Sequence, residues 1–379
     1  MTQRRQLPFE EQQQLDLLLH KLQEKNATAL GYPTAKDFDY TELYKFLQFS
    51  MNNLGDPFVP SLYQVDTRPM EREVVSFMAA LLRAPEDNWW GYVTHGGSES
   101  NMYGLYVARE LYPHGMVYYS NATHYSVGKN LRILNMPHTE VSTQTNGEID
   151  YTVLKDKISA NREKPAIIFA NIGTTMKEAK DDIRKIKEIL YELGMDDYYI
   201  HADGALAGMF APYLTPKPAF DFADGADSVS ISGHKFIGSP IPCGVLLTKK
   251  THKNRIARDI AYIGSEDTTI PGSRNGFTPL IWWYAIKTMG HEGFKQRIEY
   301  SLSLAAYTLE QLQNMGIKAW RNPNAITVVF PKPSMELVQK WQLAIEDDIA
   351  HVILMPNCNK EQIDLFLKDM EAERISSIY

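Results

Sequence analysis

The sequence predicts an α/β protein: a large unit built on a mostly parallel β-sheet, followed by a small C-terminal α+β unit. Two features of the chain carry that expectation. From Trp89 onward, short apolar runs alternate with helical stretches, the pattern of strands covered by helices on both faces. Polar and small residues then recur where those runs stop, at the rim where parallel sheets bind their ligands.

The bulk composition suits such a molecule. A chain of 379 residues with 44% hydrophobic and 22% charged residues is long for one core and is expected to divide. The expected division is an N-terminal helical and extended segment (1–60), a large unit (61–295) and a small unit (296–379). A net charge of −7 argues against nucleic acid or an anionic membrane surface as partner. No run reaches the ~18 apolar residues of a membrane span. Residues Met1 to Lys25 are rich in Gln, Glu and Arg without an apolar core, so no secretory signal is read there. The two cysteines, Cys243 and Cys358, lack metal-ligand spacing, so no metal is expected and a reducing cytoplasm is the simplest location. Cys243 follows Pro242 and reads as a small buried residue.

Taken in order, Phe9 to Asn26 reads as one polar helix. An aromatic, proline-punctuated stretch follows from Gly31 to Arg68, including the turn-forming Asn52-Asn53-Leu54-Gly55-Asp56-Pro57. Expected strands are Gly91–Thr94, Met116–Tyr119, Ala166–Ala170, Tyr198–Ala202, Ser228–Ile231 and Gly244–Thr248. Between the fourth and its predecessor, Asp181–Leu193 sets Ile183, Ile186, Ile189 and Leu190 on one helical face. The C-terminal unit is expected to hold a long helix (Phe294 to Met315), a strand at Ala325–Phe330 and a last helix from Lys360.

Five strand ends carry polar or small residues, at His95–Glu99, Asn121–Ser126, Gly173-Thr174-Thr175, Asp203-Gly204-Ala205 and Ser232–Lys235. Gly96-Gly97-Ser98 lies between a strand and a helix expected from Glu99 to Leu111. Glycines let the backbone approach an anion, and a helix N-terminus offers free N–H groups and a positive dipole end. A tight strand-to-helix turn would use the same residues. Asp203 follows an apolar strand and precedes Gly204 and Ala205. A buried carboxylate needs a cationic partner, and a protonated pyridine nitrogen would serve, with Ala205 small enough to lie under a flat ring. A helix-capping aspartate is the plainer reading. Lys235, in Ser232-Gly233-His234-Lys235, is followed by Phe236-Ile237. A lysine partly out of water has its pKa lowered and becomes nucleophilic toward an aldehyde. Together the three supply a phosphate cradle, a pyridinium partner and a Schiff-base amine.

The motifs "GYPTAKDFDY", "NNLGDP", "WGYVTHGGSESN", "HYSV", "NGEID", "NIGTT", "IHADGALAG", "SVSISGHKFIGSPIPCGV", "PGSRNG" and "WQLA…IAHVILMPN" stand in this order between Gly31 and Leu367. With them the chain resembles the group II pyridoxal-phosphate-dependent amino-acid decarboxylases, especially the bacterial histidine decarboxylases and plant serine decarboxylases. The resemblance implies the aspartate-aminotransferase-like fold (fold type I), pyridoxal 5′-phosphate as cofactor in the large unit, and a homodimer with shared active sites. It implies that Lys235 forms the Schiff base, that Asp203 partners the pyridine nitrogen, and that His124 stacks on one ring face with Ala205 behind the other. Gly97, Ser98, Ser232 and His234 would hold the phosphate, joined by Gly272 and Ser273 from the second subunit. Thr174 would lie near the ring. Tyr262 would protonate the carbanion carbon.

Two positions and the glycine loop depart from that family. Phe277 stands where a histidine is usual, Ala325 stands where the histidine decarboxylases carry serine, and the glycine loop reads His-Gly-Gly-Ser-Glu-Ser. None touches the Schiff-base machinery, but they bear on which side chain is accepted. The resemblance implies decarboxylation of an L-amino acid, histidine first, with another amino acid, serine foremost, as the alternative. An inactive dimeric partner of the same fold is the reading from a different class, and the intact Lys235, Asp203 and His124 speak against it. The aromatic run Trp282-Trp283-Tyr284 is expected in the core or at a dimer interface.

Overall fold

Where the apolar runs stop, the chain turns into helices that cover them. The computed structural model describes residues 7–260 and 264–376. In the N-terminal region lie helices α1 (Phe9–Asn26) and α2 (Arg68–Leu81). The large unit then follows as β1 (Trp90–Thr94), α3 (Gly97–Leu111), β2 (Met116–Ser120), α4 (Ser126–Leu134), β3 (His138–Val141) and α5 (Tyr151–Ser159). It continues through β4 (Ala166–Asn171), α6 (Ile183–Glu192), β5 (Tyr198–Asp203), β6 (Ser228–Ser232) and β7 (Gly244–Thr248). Short α7 (Lys250–Lys253) leads to the antiparallel pair β8 (Arg258–Ile260) and β9 (Ser265–Asp267).

The seven strands order as β1-β7-β6-β5-β4-β2-β3. Pairs β6-β5, β5-β4, β4-β2 and β2-β3 are parallel, while β7 runs antiparallel to both β6 and β1. Thus β1 points the same way as β6, and only β7 is reversed. The link 233–243 holds one wide turn and no covering helix, so the chain re-enters the sheet backwards. All five strand ends singled out in the sequence therefore open on one rim. Val117, Ile167, Phe169 and Tyr199 pack on one face, and Tyr118, Ile168, Ala170 and Ile200 on the other, the period-two alternation of strands buried twice over. In α6 the expected face of Ile183, Ile186, Ile189 and Leu190 is buried, and the Asp182 carboxylate accepts from the Arg184 and Lys185 N–H groups as its cap.

Two elements differ from expectation. Edge strand β3, "HTEV", pairs only with β2 and carries too little apolar character to read as a strand. Helix α8 runs from Phe277 to Asn314 with a break at Gly290 (φ 58°, ψ −170°), rather than starting at Phe294. Gly290 is what hides the first half: a glycine at positive φ interrupts the helical pattern. Residues 295 and 296, the expected unit boundary, lie inside this helix. The small unit then forms β10 (Thr327–Pro331), α9 (Met335–Trp341), β11 (Ala344–Glu346), β12 (Ile349–Ile353) and α10 (Lys360–Ser376). Its antiparallel sheet orders as β10-β12-β11, where the sequence had suggested a single strand.

Candidate active site

At the end of β1, Gly96 adopts φ +150° as the cap of α3, which a side chain would strain. A Cβ on Gly97 would lie 2.8 Å from the Ser232 Oγ and 3.6 Å from the Ala205 Cβ. Gly97, Ser232 and Ala205, distant in sequence, thus meet at one point. No side chain caps this end of α3, which leaves its first-turn N–H groups available to an anion. Ser98 stands exposed there, and its carbonyl accepts from Asn130 Nδ2 at 2.9 Å.

Across the sheet, Asn171, Asp203 and Ser230 lie side by side in register. Asp203 is buried, at 7% exposure, and accepts from Asn101 Nδ2 (2.8 Å) and the Ala205 N–H (3.0 Å), with Ser230 Oγ 3.4 Å away. These donors fix its orientation, but no basic side chain bonds to it among the described residues. A carboxylate taken out of water without a cation is costly, so the site is built to receive one.

Lys235 lies in the wide turn Gly233–Ile237 directly after β6. Burial lowers its pKa, with the nearby Asp203 carboxylate opposing, and its amine makes no hydrogen bond among the described residues. The N-terminal segment seals this turn: the Ala35 N–H donates to the Lys235 carbonyl (3.1 Å) and Tyr40 Oη donates to the Ile237 carbonyl (3.3 Å). His124 is half-buried beyond β2 and accepts at Nδ1 from the Ser126 N–H (3.3 Å). Burial, then the Lys235 charge, hold its pKa below the ordinary value, with Asp203 opposing, so its imidazole is uncharged and suited to stacking. His234 Nδ1 lies 3.1 Å from the Cys243 carbonyl. The Cys243 thiol is fully buried and pushed up to about 11, a structural residue rather than a nucleophile.

Other expected site residues are not joined to this cluster. Thr174 is buried, and its hydroxyl accepts from the Ala179 N–H (3.0 Å), closing its own turn. Gly272 and Ser273 are exposed, with Ser273 Oγ accepting from Asn52 Nδ2 (3.1 Å). Phe277 and Ala325 are buried, and no hydrogen bond or ring contact links either to Lys235, Asp203 or His124. Tyr262 lies outside the described residues.

Asn101, His201 and Ser230 escaped the sequence reading. Asn101 Oδ1 accepts from Ser230 Oγ (2.6 Å) and faces His201 Nε2 (2.9 Å), while His201 Nδ1 meets Ser228 Oγ (2.6 Å). The signal was present: His201 precedes Asp203 by two on a strand, and Asn101 follows Gly97 by four on a helix, so each pair shares a face. His201 packs so closely on α3 that a Cβ on Gly104 would lie 2.3 Å from its ring.

Burial depresses the His201 pKa to about 4, against ~6.5 in an unfolded chain. Between these values the unfolded chain binds the extra proton, so this contribution to stability is full above pH ~6.5 and is lost as pH falls toward ~4. The buried Asp181 acts oppositely. Desolvation raises it to about 6, so its contribution is lost as pH rises through that value. We expect His201→Gln to lose less stability than wild type between pH 7 and 5, by on the order of 1–3 kcal/mol. Urea denaturation at both pH values measures this, and equal losses would refute it.

The rim thus gathers a lysine amine of lowered pKa, a carboxylate awaiting a cation, an uncharged imidazole and a glycine-lined helix N-terminus. That set fits a flat, phosphorylated, nitrogen-containing aromatic aldehyde: anion at Gly97, ring between His124 and Ala205, ring nitrogen at Asp203 and carbonyl at Lys235. The comparisons with known proteins agree. Residues 64–330 match the family described as pyridoxal-dependent decarboxylase conserved domain. The chain is 52% identical to the histidine decarboxylase of Mesorhizobium japonicum, covering 95% of this chain and 97% of that one. It is 47% identical to the histidine decarboxylase of Morganella morganii, covering 91% and 92%. The solved L-methionine decarboxylase of Streptomyces sp. superposes with a TM-score of 0.89 at 28% identity, over 97% and 96% of the two chains.

Proposed function

The chain belongs to the pyridoxal-dependent decarboxylase family, and from that premise we propose that it removes the carboxyl group of L-histidine, yielding histamine and carbon dioxide. It is a carboxy-lyase of fold type I with pyridoxal 5′-phosphate as cofactor. The observation that carries the site assignment is the meeting of Lys235, Asp203, His124 and the Gly97–Ser232 cradle on one rim. Histidine rests on the curated relatives at 45–52% identity.

Bound there, pyridoxal phosphate supplies a conjugated pyridine ring that accepts the electrons left on the α-carbon. The protein's residues do the rest. Lys235 offers an amine at Nζ that burial makes readier to give up its proton, and can carry a proton between substrate and site. Asp203 presents a fixed carboxylate to a positive ring nitrogen, a pre-oriented charge where positive charge must persist. The uncharged His124 covers one ring face without adding positive charge beside Lys235. Gly97, Ser98, Ser232 and His234 line the anion end.

In this reading residues 1–60 form the dimer and substrate-entry segment, 61–295 bind the cofactor and 296–379 form the small cap, in a cytoplasmic homodimer. Thr174 lies near the ring and Tyr262 protonates the α-carbon. Support for the dimer comes from α1, which buries no residue and leaves Leu15, Leu18, Leu19 and Leu22 exposed, as on a helix covered by a second chain. The exposed Gly272 and Ser273 point to the same arrangement. Sedimentation should give twice the 43.2 kDa chain mass, and a monomer would remove the shared site.

The substrate is decided by comparing kcat/KM for L-histidine, L-serine and aromatic amino acids. We expect histidine to exceed serine by more than tenfold. Where Phe277 and Ala325 face the substrate, discrimination among near neighbours should stay within about 10–200-fold, because apolar contact selects weakly. Serine ahead by tenfold would overturn histidine and leave decarboxylation standing.

A further inference from the structure

We propose that Asn52, Asn53 and Glu71 form a clamp that positions Gly272 and Ser273 for the partner subunit's cofactor phosphate, so that these residues act in trans. The proposal rests on the shared-site homodimer above. Segment 272–276 has no regular structure of its own, yet the NNLGDP turn and the residues beside it hold its backbone at Arg274 and Gly276. The Arg274 N–H donates to Asn52 Oδ1 (3.0 Å), the Asn53 N–H donates to the Arg274 carbonyl (2.9 Å), and Asn52 Nδ2 reaches Ser273 Oγ (3.1 Å). Thr67, whose N–H donates to Asn53 Oδ1 (2.9 Å), donates through Oγ1 to the Gly276 carbonyl (2.6 Å).

Glu71 stands beneath this loop. It is fully buried and accepts from Asn53 Nδ2 (2.8 Å), from the Val93 N–H of β1 (2.9 Å) and from Arg274 Nη1. Arg274 Nη2 donates to the Gly55 carbonyl (3.0 Å), its Nε has no partner among the described residues, and its guanidinium lies 5.4 Å over the Tyr92 ring. Burying such a pair is weak evidence for stability, since desolvation offsets the attraction, but it does select one conformation. Here one carboxylate ties β1, which delivers this subunit's Gly97 cradle, to the loop that would complete the partner's. Ser273 is exposed, so the clamp fixes a residue whose own subunit gives it no further use.

The test uses the full-length enzyme and pyridoxal phosphate titrated into apoprotein, read by the lysine-linked visible absorbance. Asn52→Ala removes two loop contacts while sparing the buried pair, and Glu71→Gln keeps the shape of the hub. Each is expected to weaken cofactor binding at least tenfold while the dimer mass is unchanged. If Glu71→Gln does not fold, Asn52→Ala alone decides. A hybrid dimer pairing one Asn52→Ala subunit with one Lys235→Ala subunit then separates cis from trans. Its one lysine-bearing site faces an intact loop from the other chain, so wild-type affinity should return. An unrestored hybrid, or wild-type affinity in the Asn52→Ala homodimer, overturns the clamp. A wild type that sediments as a monomer overturns the shared-site reading and the trans role with it.

Discussion

Asp203→Asn is expected to retain bound cofactor and lose about 10²–10³ in kcat, the usual cost of removing one preorganised charge from a transition state. Asparagine keeps the shape but not the negative charge that a positive ring nitrogen needs. The local geometry adds a second effect. Asn101 Nδ2 and the Ala205 N–H donate to the two oxygens of Asp203, so an asparagine Nδ2 must face a donor on one side. A mispaired buried donor costs about 1–3 kcal/mol, which should lower the melting temperature somewhat. Cofactor content and thermal stability measured beside kcat keep the two effects apart. Near wild-type turnover with full cofactor would reduce Asp203 to a turn residue that merely caps Ala205.

Lys235→Ala is expected to lower kcat by about 10²–10⁴ or more, since both the nucleophile and a proton carrier are lost. Lys235→Arg should fare no better, because a guanidinium does not give up its proton in a protein. In wild type, borohydride should bleach the visible band and leave the cofactor covalently attached to the peptide that contains Lys235. Mass spectrometry of that peptide is the direct measurement. A cofactor adduct on any other lysine, or an Ala variant with more than a tenth of wild-type activity, would contradict the assignment. The same lowered pKa sets the expected pH response: the amine becomes protonated as pH falls, so uptake of cofactor aldehyde should slow on acidification.

The Lys235 turn was legible because its chemistry is local. Ser232, Gly233, His234 and Lys235 stand at the end of an expected strand, and Asp203 and Gly97 stand at two more. What lies behind them was not. Asn101 reads as an ordinary helical residue until a strand 102 positions away brings Asp203 to it. NNLGDP reads as turn chemistry, yet Asn52 and Asn53 stitch a loop more than 200 residues distant, with Arg274 bonding to Asn52 across 222 positions.

By itself, then, the sequence determined six strands of the large sheet and the residues that stand at their ends, since strand runs and turn chemistry act between near neighbours in the chain. The tertiary structure alone decided the reversal of β7, the polar edge strand β3, the continuation of α8 through Gly290 and the partners of Asp203, Glu71 and Arg274. Those features depend on hydrogen bonds between segments far apart in sequence. A polar side chain that finds its partner only after the sheet has closed leaves no periodic trace along the chain.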